Sequence, residues 1–308
     1  MSFIERKIDV RMALNGDTFD GSNNTLVLSG LRCVATVQST VGGSTPFQSQ
    51  MQIRINGMRG ADMAKLSTLG YSDGKKYKKN RIDVFAGDDV VGMTQVFSGA
   101  IFAGSVDYNS MPDVGVDLVA SVIMNEQMVP VAASSYQGSL DVASMLQAIA
   151  TTAGWSFQNA GVHARLHDHA VGGSATDQIS DICQAAGIFF EVSNKKLSIW
   201  PHGGKKDDTL ITVSPSTGLV GYPMYSMNGV TIVTTFNPDI QLGRMVKVET
   251  SVPNLSPDTQ KRFVGGDVAP GSNGAYSVWD VVHQIASQTV NGPWFTRTRM
   301  GVDNFYGR

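Results

Sequence analysis

The amino-acid sequence predicts a mainly β protein with an α+β insertion in its middle, and three observations carry that reading. Apolar and polar residues alternate through most of the first 125 residues, a helix-plus-strand unit then occurs twice, and strand-like alternation resumes after Asp208. A strand turns successive side chains to opposite faces, whereas a helix returns to one face at i+3 and i+4, so the two periods separate the regions.

In the first region Leu31, Cys33, Ala35 and Val37 alternate with Arg32, Val34, Thr36 and Gln38. Met51, Ile53 and Ile55 alternate with Gln52, Arg54 and Asn56, the pattern of a half-buried strand. Within 59–69, Met63, Leu66 and Leu69 fall at helical spacing before Gly70, so one short helix interrupts the strands. Strands are expected again at 82–86, 95–107 and 114–122, with Gly87, Asp88 and Asp89 as a turn. A barrel or sandwich with a single short helix fits this order.

The duplicated unit occupies 139–158 and 174–192. In the first copy Leu146, Ile149, Ala150 and Ala153 share a helical face, Gly154 stops it, and Trp155 and Phe157 follow at strand period. In the second, Ile179, Ile182, Cys183 and Ala186 share the face, Gly187 stops it, and Ile188 and Phe190 follow. Gly187 lies 33 residues after Gly154, and every apolar position maps onto its partner with that offset. Two copies are fewer than the about three that a solenoid needs, so they read as one small domain. A hairpin ends it, with Ile188, Phe190 and Val192 facing Leu197 and Ile199 across 193–196. The stretch 201–208 (PHGGKKDD) reads as a linker. Strands are then expected at Leu210–Val213, 230–236, 244–249, 276–283 and Trp294–Gly301, and loops at 254–259 and 268–273. Trp294 is expected to fill the last β domain.

Charged residues make up 16% of the chain, against about 25% in typical soluble domains. A polar, weakly charged surface is easily desolvated and suits packing against other proteins, although a neutral soluble β protein shares this composition. The net charge of −2 gives no footprint for tight duplex binding. The opening MSFIERKIDV has no apolar signal core, and no run of 18 apolar residues occurs, so neither secretion nor membrane insertion by this chain is expected. Cys33 and Cys183 lie on a strand face and a helix face and read as buried thiols in a reducing cytoplasm, not as a disulfide.

Chemistry finds little footing. His163, His167, Asp168 and His169 form the one dense set of metal-ligand types, and a helix would put His163 and His167 on one face. The segment GVHARLHDHAVGG has glycines at both ends, no helical period and no Glu between the histidines, so it reads as a loop and no metal is assigned. His202 and His283 are isolated, no Gly-x-Ser-x-Gly elbow or phosphate-binding glycine loop occurs, and no carboxylate pair stands out. No catalytic residue and no cofactor is therefore assigned, and the chain is not read as an enzyme. The basic run Lys75, Lys76, Lys78, Lys79 and Arg81 surrounds Tyr77 and fits a solvated turn, an acidic protein partner or a nucleic-acid backbone. Phe305 and Tyr306, near the end, fit an anchor to another chain or a fraying terminus. These seven are the candidate partner-contact residues.

Several segments together resemble the baseplate hub proteins of tailed bacteriophages, whose relatives include contractile-injection spike bases. They are 96–108 (VFSGAIFAGSVDY), the paired units ending in Gly154 to Phe157 and Gly187 to Phe190, Lys196–Pro201 (KLSIWP), 216–223 (STGLVGYP), 236–238 (FNP), 281–283 (VVH) and 292–296 (GPWFT). Their order carries the likeness more than any one of them. The resemblance implies a structural virion protein: a homotrimer whose two tail-tube-like β-barrel domains, 1–126 and 204–308, flank the helix–strand domain 127–203. It implies a ring that joins a six-fold tail tube, or a distal tail protein ring, to a three-fold spike or central fibre. DNA would pass transiently through its lumen without specific binding. Such a protein is made in the host cytoplasm and ends in the phage tail tip.

Two other readings stay open at this stage. A spike base of a contractile injection or secretion system shares the plan, but usually appends a β-helix or needle, and this chain stops at Arg308. A cell-wall carbohydrate-binding module would need an aromatic platform or a carboxylate pair.

Overall fold

The computed structural model of the chain describes residues 5–41, 49–68, 80–89, 92–123, 131–226, 229–250, 254–255 and 274–301. It is mainly β, with three α-helices among the described residues. The chain divides into two compact units that exchange segments. The first takes Met1–Gln38, Ser49–Asn125 and His283–Trp294; the second takes Ser39–Gln48, Glu126–Val282 and Phe295–Arg308.

The first unit contains β1 (Arg6–Ala13), β2 (Thr25–Leu28), β3 (Arg32–Thr40, whose last two residues fall in the second unit), β4 (Ser49–Asn56), α1 (Gly60–Leu66), β5 (Arg81–Asp88), β6 (Gly92–Asp107) and β7 (Gly115–Ser121). The strands neighbour one another in the order β3-β4-β7-β6-β5-β1-β2. Period-2 alternation buries one face: Ile8, Val10 and Met12 in β1, Met51, Ile53 and Ile55 in β4, Ile82, Val84 and Ala86 in β5. Register places Val10 opposite Val84 and Ile53 opposite Leu118, so apolar side chains meet on the same side. Helix α1 is shorter than the 59–69 spacing predicts. It ends at Leu66 because the chain turns extended at Ser67 and clamps Gly104. The Thr68 amide donates to the Gly104 carbonyl at 2.9 Å, and the Gly104 amide donates to Thr68 Oγ1 at 2.9 Å. Only glycine fits there, since a Cβ would stand 2.4 Å from the Leu66 carbonyl oxygen. Leu69 and Gly70 lie outside the described residues.

Residues from the far end of the sequence complete this unit. Ser287 Oγ accepts from the Cys33 amide at 3.3 Å and donates to the Leu31 carbonyl at 2.9 Å. Trp294 is 7% exposed, with the Arg6 guanidinium 5.6 Å from its ring centroid. Its ring thus belongs with the first unit and not with the last β domain, because the chain has re-entered this unit from His283 onward.

In the second unit the duplicated segment forms two strand–helix–strand copies. They are β8 (Ser134–Asp141), α2 (Val142–Thr152) and β9 (Ser156–Asn159), then β10 (Arg165–Val171), α3 (Ala175–Ala186) and β11 (Ile188–Ser193), closed by β12 (Lys196–Pro201). Helix α3 begins with a capping box: Ser174 Oγ accepts from the Asp177 amide at 3.2 Å, and Asp177 Oδ2 accepts from the Ser174 amide at 2.9 Å. It ends at Gly187 with φ 64°, the left-handed cap predicted from sequence. Asn194 and Lys195, both at positive φ, make the tight turn of the β11–β12 hairpin. Strand β12 lies between β11 and β9, antiparallel to the first and parallel to the second.

The histidine segment corrects the sequence reading. His167 to His169 lie in a strand and not a loop, while His163 precedes it in irregular chain: β10 pairs antiparallel with β8, and a bulge at Asp168, φ 45°, shifts the register. Asp168 Oδ1 accepts from the Gly138 amide at 2.7 Å, which holds the bulge. Both strands are mostly polar and solvent-facing, so no apolar period marks them.

The remaining strands are β13 (Leu210–Val213), β14 (Met224–Ser226), β15 (Gly229–Thr235), β16 (Met245–Val248), β17 (Asn254–Leu255), β18 (Gly274–Ser287) and β19 (Trp294–Gly301). Their neighbour order is β17-β14-β15-β19-β18, with β16 joining β18 and β13 joining β16. Asn254 and Leu255 pair with β14, where the sequence predicts a loop; 268–273 lies outside the described residues. Among the described residues the strand pairings do not close into a barrel. One core joins this layer to the hairpin, with Phe189 and fully buried Trp200 packed among Val230, Ile232, Val246 and Val278. The stretch 201–208 is therefore a stitched junction and not a free linker. The Lys206 amide donates to the Gly243 carbonyl at 2.6 Å, Lys206 Nζ pairs with Glu191 at 2.6 Å, and Arg244 pairs with Asp207 at 3.1 Å.

Candidate assembly surfaces

Among the described residues no three His, Cys, Asp or Glu side chains converge in a way that could hold a metal ion. Strand β10 separates the histidines: His167 lies opposite Ser139 and is exposed, and His169 lies opposite Tyr136 beyond the bulge. Cys33 and Cys183 are both free and buried, and burial raises both thiols, Cys33 to about 12. Neither is a thiolate nucleophile at neutral pH. No described helix is long and apolar enough to cross a membrane.

Chemically distinctive surfaces lie elsewhere. In the first unit the β6–β7 loop is braced by charge. Arg54 on β4 donates through Nη1 to Asp117 at 3.0 Å and through Nη2 to Asp107 at 2.8 Å, where Ser110 also bonds. The Ser110 hydroxyl and then the Arg54 guanidinium hold the Asp107 carboxyl down at about 2. Asn56 Nδ2 donates to the Asp113 carbonyl at 2.8 Å, and Arg32 pairs with the Asp113 carboxylate at 3.0 Å. This frame presents Tyr108 and Met111, 54% and 72% exposed. Partly exposed pairs of this kind contribute little stability singly, but a planar guanidinium that bridges two carboxylates fixes geometry.

In the second unit β14, β15 and β19 share an outward face. Cross-strand partners point the same way, so Met224, Thr231 and Arg299 form one row and Val233 and Arg297 the next. Phe295 beside Thr235 extends it, and Val220 joins through its amide, which donates to the Val233 carbonyl at 2.8 Å. Val220, Met224 and Phe295 are each more than a third exposed. The inward partners Thr296 and Thr298 are fully buried. Sequence reading missed both surfaces; the trace of the second is a strand whose threonines face in while Phe295, Arg297 and Arg299 face out.

Of the seven predicted contact residues, Arg81 alone is described. It opens β5, half-exposed, and is used within its own sheet, 3.2 Å from Asp83 and donating to Ser98 Oγ at 2.7 Å. Lys75, Lys76, Lys78, Lys79, Phe305 and Tyr306 lie outside the described residues.

A family model described as "Baseplate hub gp41" matches residues 37–264. The chain belongs to the baseplate hub gp41 family. That makes it a structural tail protein of a phage baseplate. No curated protein sequence matches it. The hub fold also resembles solved structures at identities low enough that the likeness concerns the fold alone. A tail protein from Neisseria meningitidis MC58 aligns over 97% of this chain and 98% of its own, with TM-score 0.58 and 10% identity. The E. coli c3393 protein, a type VI secretion component similar to T4 tail proteins gp27 and gp5, aligns over 96% and 78%, with TM-score 0.57 and 12% identity. The 43 kDa tail protein of prophage MuSo2 from Shewanella oneidensis aligns over 96% and 97%, with TM-score 0.55 and 6% identity.

Proposed function

We propose that this hub is a trimeric ring at the phage tail tip. It joins the six-fold tail tube, or a distal tail ring, to a three-fold spike or central fibre. Each subunit supplies two tail-tube-like β domains, so three copies present six, which reconciles the two symmetries. The helix–strand domain sits outside that ring, and the hub acts by assembly and by gating DNA passage, not by catalysis. The observation that carries this reading is the family match over 37–264, combined with a mainly β fold that holds one duplicated helix–strand module. A conduit for DNA works best with few exposed guanidinium or ammonium groups on its wall, since each phosphate contact adds a salt-dependent hold.

A second reading, the base of a spike in a contractile injection or secretion machine, is favoured by the likeness to the E. coli secretion component. Light scattering on the purified chain tests the proposal. The subunit is 32.9 kDa, and a stable mass of about three subunits is expected. A dimer or tetramer would overturn it. Stacking of that trimer on purified tail tube, against a spike alone, separates the two readings.

A further inference from the structure

We propose that the outward face of β14, β15 and β19 seats the β6–β7 tip of a second copy of this chain, so that copies join head to tail. This rests on the trimeric reading above.

The face has the composition of an interface core: exposed Val220, Met224 and Phe295 beside two arginines, with no exposed carboxylate in its rows. Among the described residues the Arg297 side chain makes no hydrogen bond or ion pair, its backbone alone pairing with β15. Arg299 lies 5.9 Å from the Trp279 ring centroid and 3.9 Å from Asp280. That carboxylate is buried and already accepts from Thr40 Oγ1 at 2.8 Å. Asp280 still balances Arg299, so the face carries one uncompensated positive charge, Arg297. Left open on a DNA conduit it would hold phosphates; covered by protein it does not.

The tip is its complement in charge and shape. Tyr108 and Met111 project from a loop whose frame holds three carboxylates, Asp107, Asp113 and Asp117, against two guanidinium groups, Arg32 and Arg54. One negative charge is left over, and the Asp113 side chain is 65% exposed. The braced loop has little conformational freedom to lose on docking. Two different, complementary surfaces on one chain make a heterologous contact, the kind that closes into a ring when the rotation permits.

Charge reversal and cross-linking test this. Arg297→Asp should weaken trimerisation about tenfold or more by light scattering, with an unchanged circular dichroism spectrum. Adding Asp113→Arg to it should restore the trimer. Independently, the Met111→Cys/Met224→Cys double variant should form covalent trimers under mild oxidation while either single variant does not. The native thiols are buried and do not compete. A wild-type trimer with an unaffected Arg297→Asp variant, or with no cross-link in the double variant, would overturn this contact alone. A wild-type chain that stays monomeric would overturn the trimeric reading and this contact with it.

Discussion

His283 shows how one side chain links burial to pH. It stands on β18 in the segment that returns to the first unit, and burial pushes its imidazole down to about 4 from an ordinary value near 6.5. Between those values the unfolded chain binds a proton that the folded chain refuses. Stability is full above pH 6.5 and falls as pH drops toward 4, by about 3 kcal/mol. Urea unfolding at pH 7 and pH 4.5 should show this loss, and His283→Gln should remove most of it; an equal slope in both proteins would contradict it. Asp107 acts in a lower window, since its contribution disappears only as pH falls from 3.8 toward 2. Neither role is legible in the sequence. His283 reads as an isolated histidine near a strand end, and Asp107 is held down first by the Ser110 hydroxyl in its own loop and then by Arg54, which folding brings from another strand.

At the scale of the element, the two helices of the duplicated module were legible because their signals are local. Apolar spacing and Gly187 after the last apolar position lie within one short stretch, and the structure adds the Ser174–Asp177 capping box at the other end. Ser174→Ala should cost about 1 kcal/mol, and Gly187→Ala a similar amount through the φ of 64° that alanine adopts poorly. Hydrogen exchange over α3 would report both, and unchanged protection would show that the caps do not hold the helix. Strands β8 and β10 were illegible by the same logic. Their side chains are mostly polar and face solvent, so pairing with each other, and not burial, defines them.

At the scale of the whole molecule, the sequence-contiguous boundary near residue 126 conceals an exchange of segments. The first unit needs His283–Trp294: Ser287 to satisfy the Cys33 amide and Leu31 carbonyl, and Trp294 beneath Arg6. A fragment of residues 1–126 should therefore fail to fold cooperatively, while the same fragment with the peptide 283–294 added should regain a thermal transition. A fragment that melts cooperatively alone would show the late segment to be dispensable. The second unit is equally composite, since Val41 donates from its amide to the Trp279 carbonyl at 3.0 Å.

The amino-acid sequence by itself determined the mainly β character, the duplicated helix–strand module with its glycine stops, and the order of segments that marks a baseplate hub. The first two depend on residues close together along the chain, where period and capping act, and the third on the linear order of such short segments. Only the tertiary structure decided the exchange of segments between units, the stitching of 201–208, the bulged strand through the histidines and the two surfaces at Met111 and Arg297. These depend on partners tens to hundreds of residues away, and no local spacing encodes which distant backbone or charge a side chain will meet.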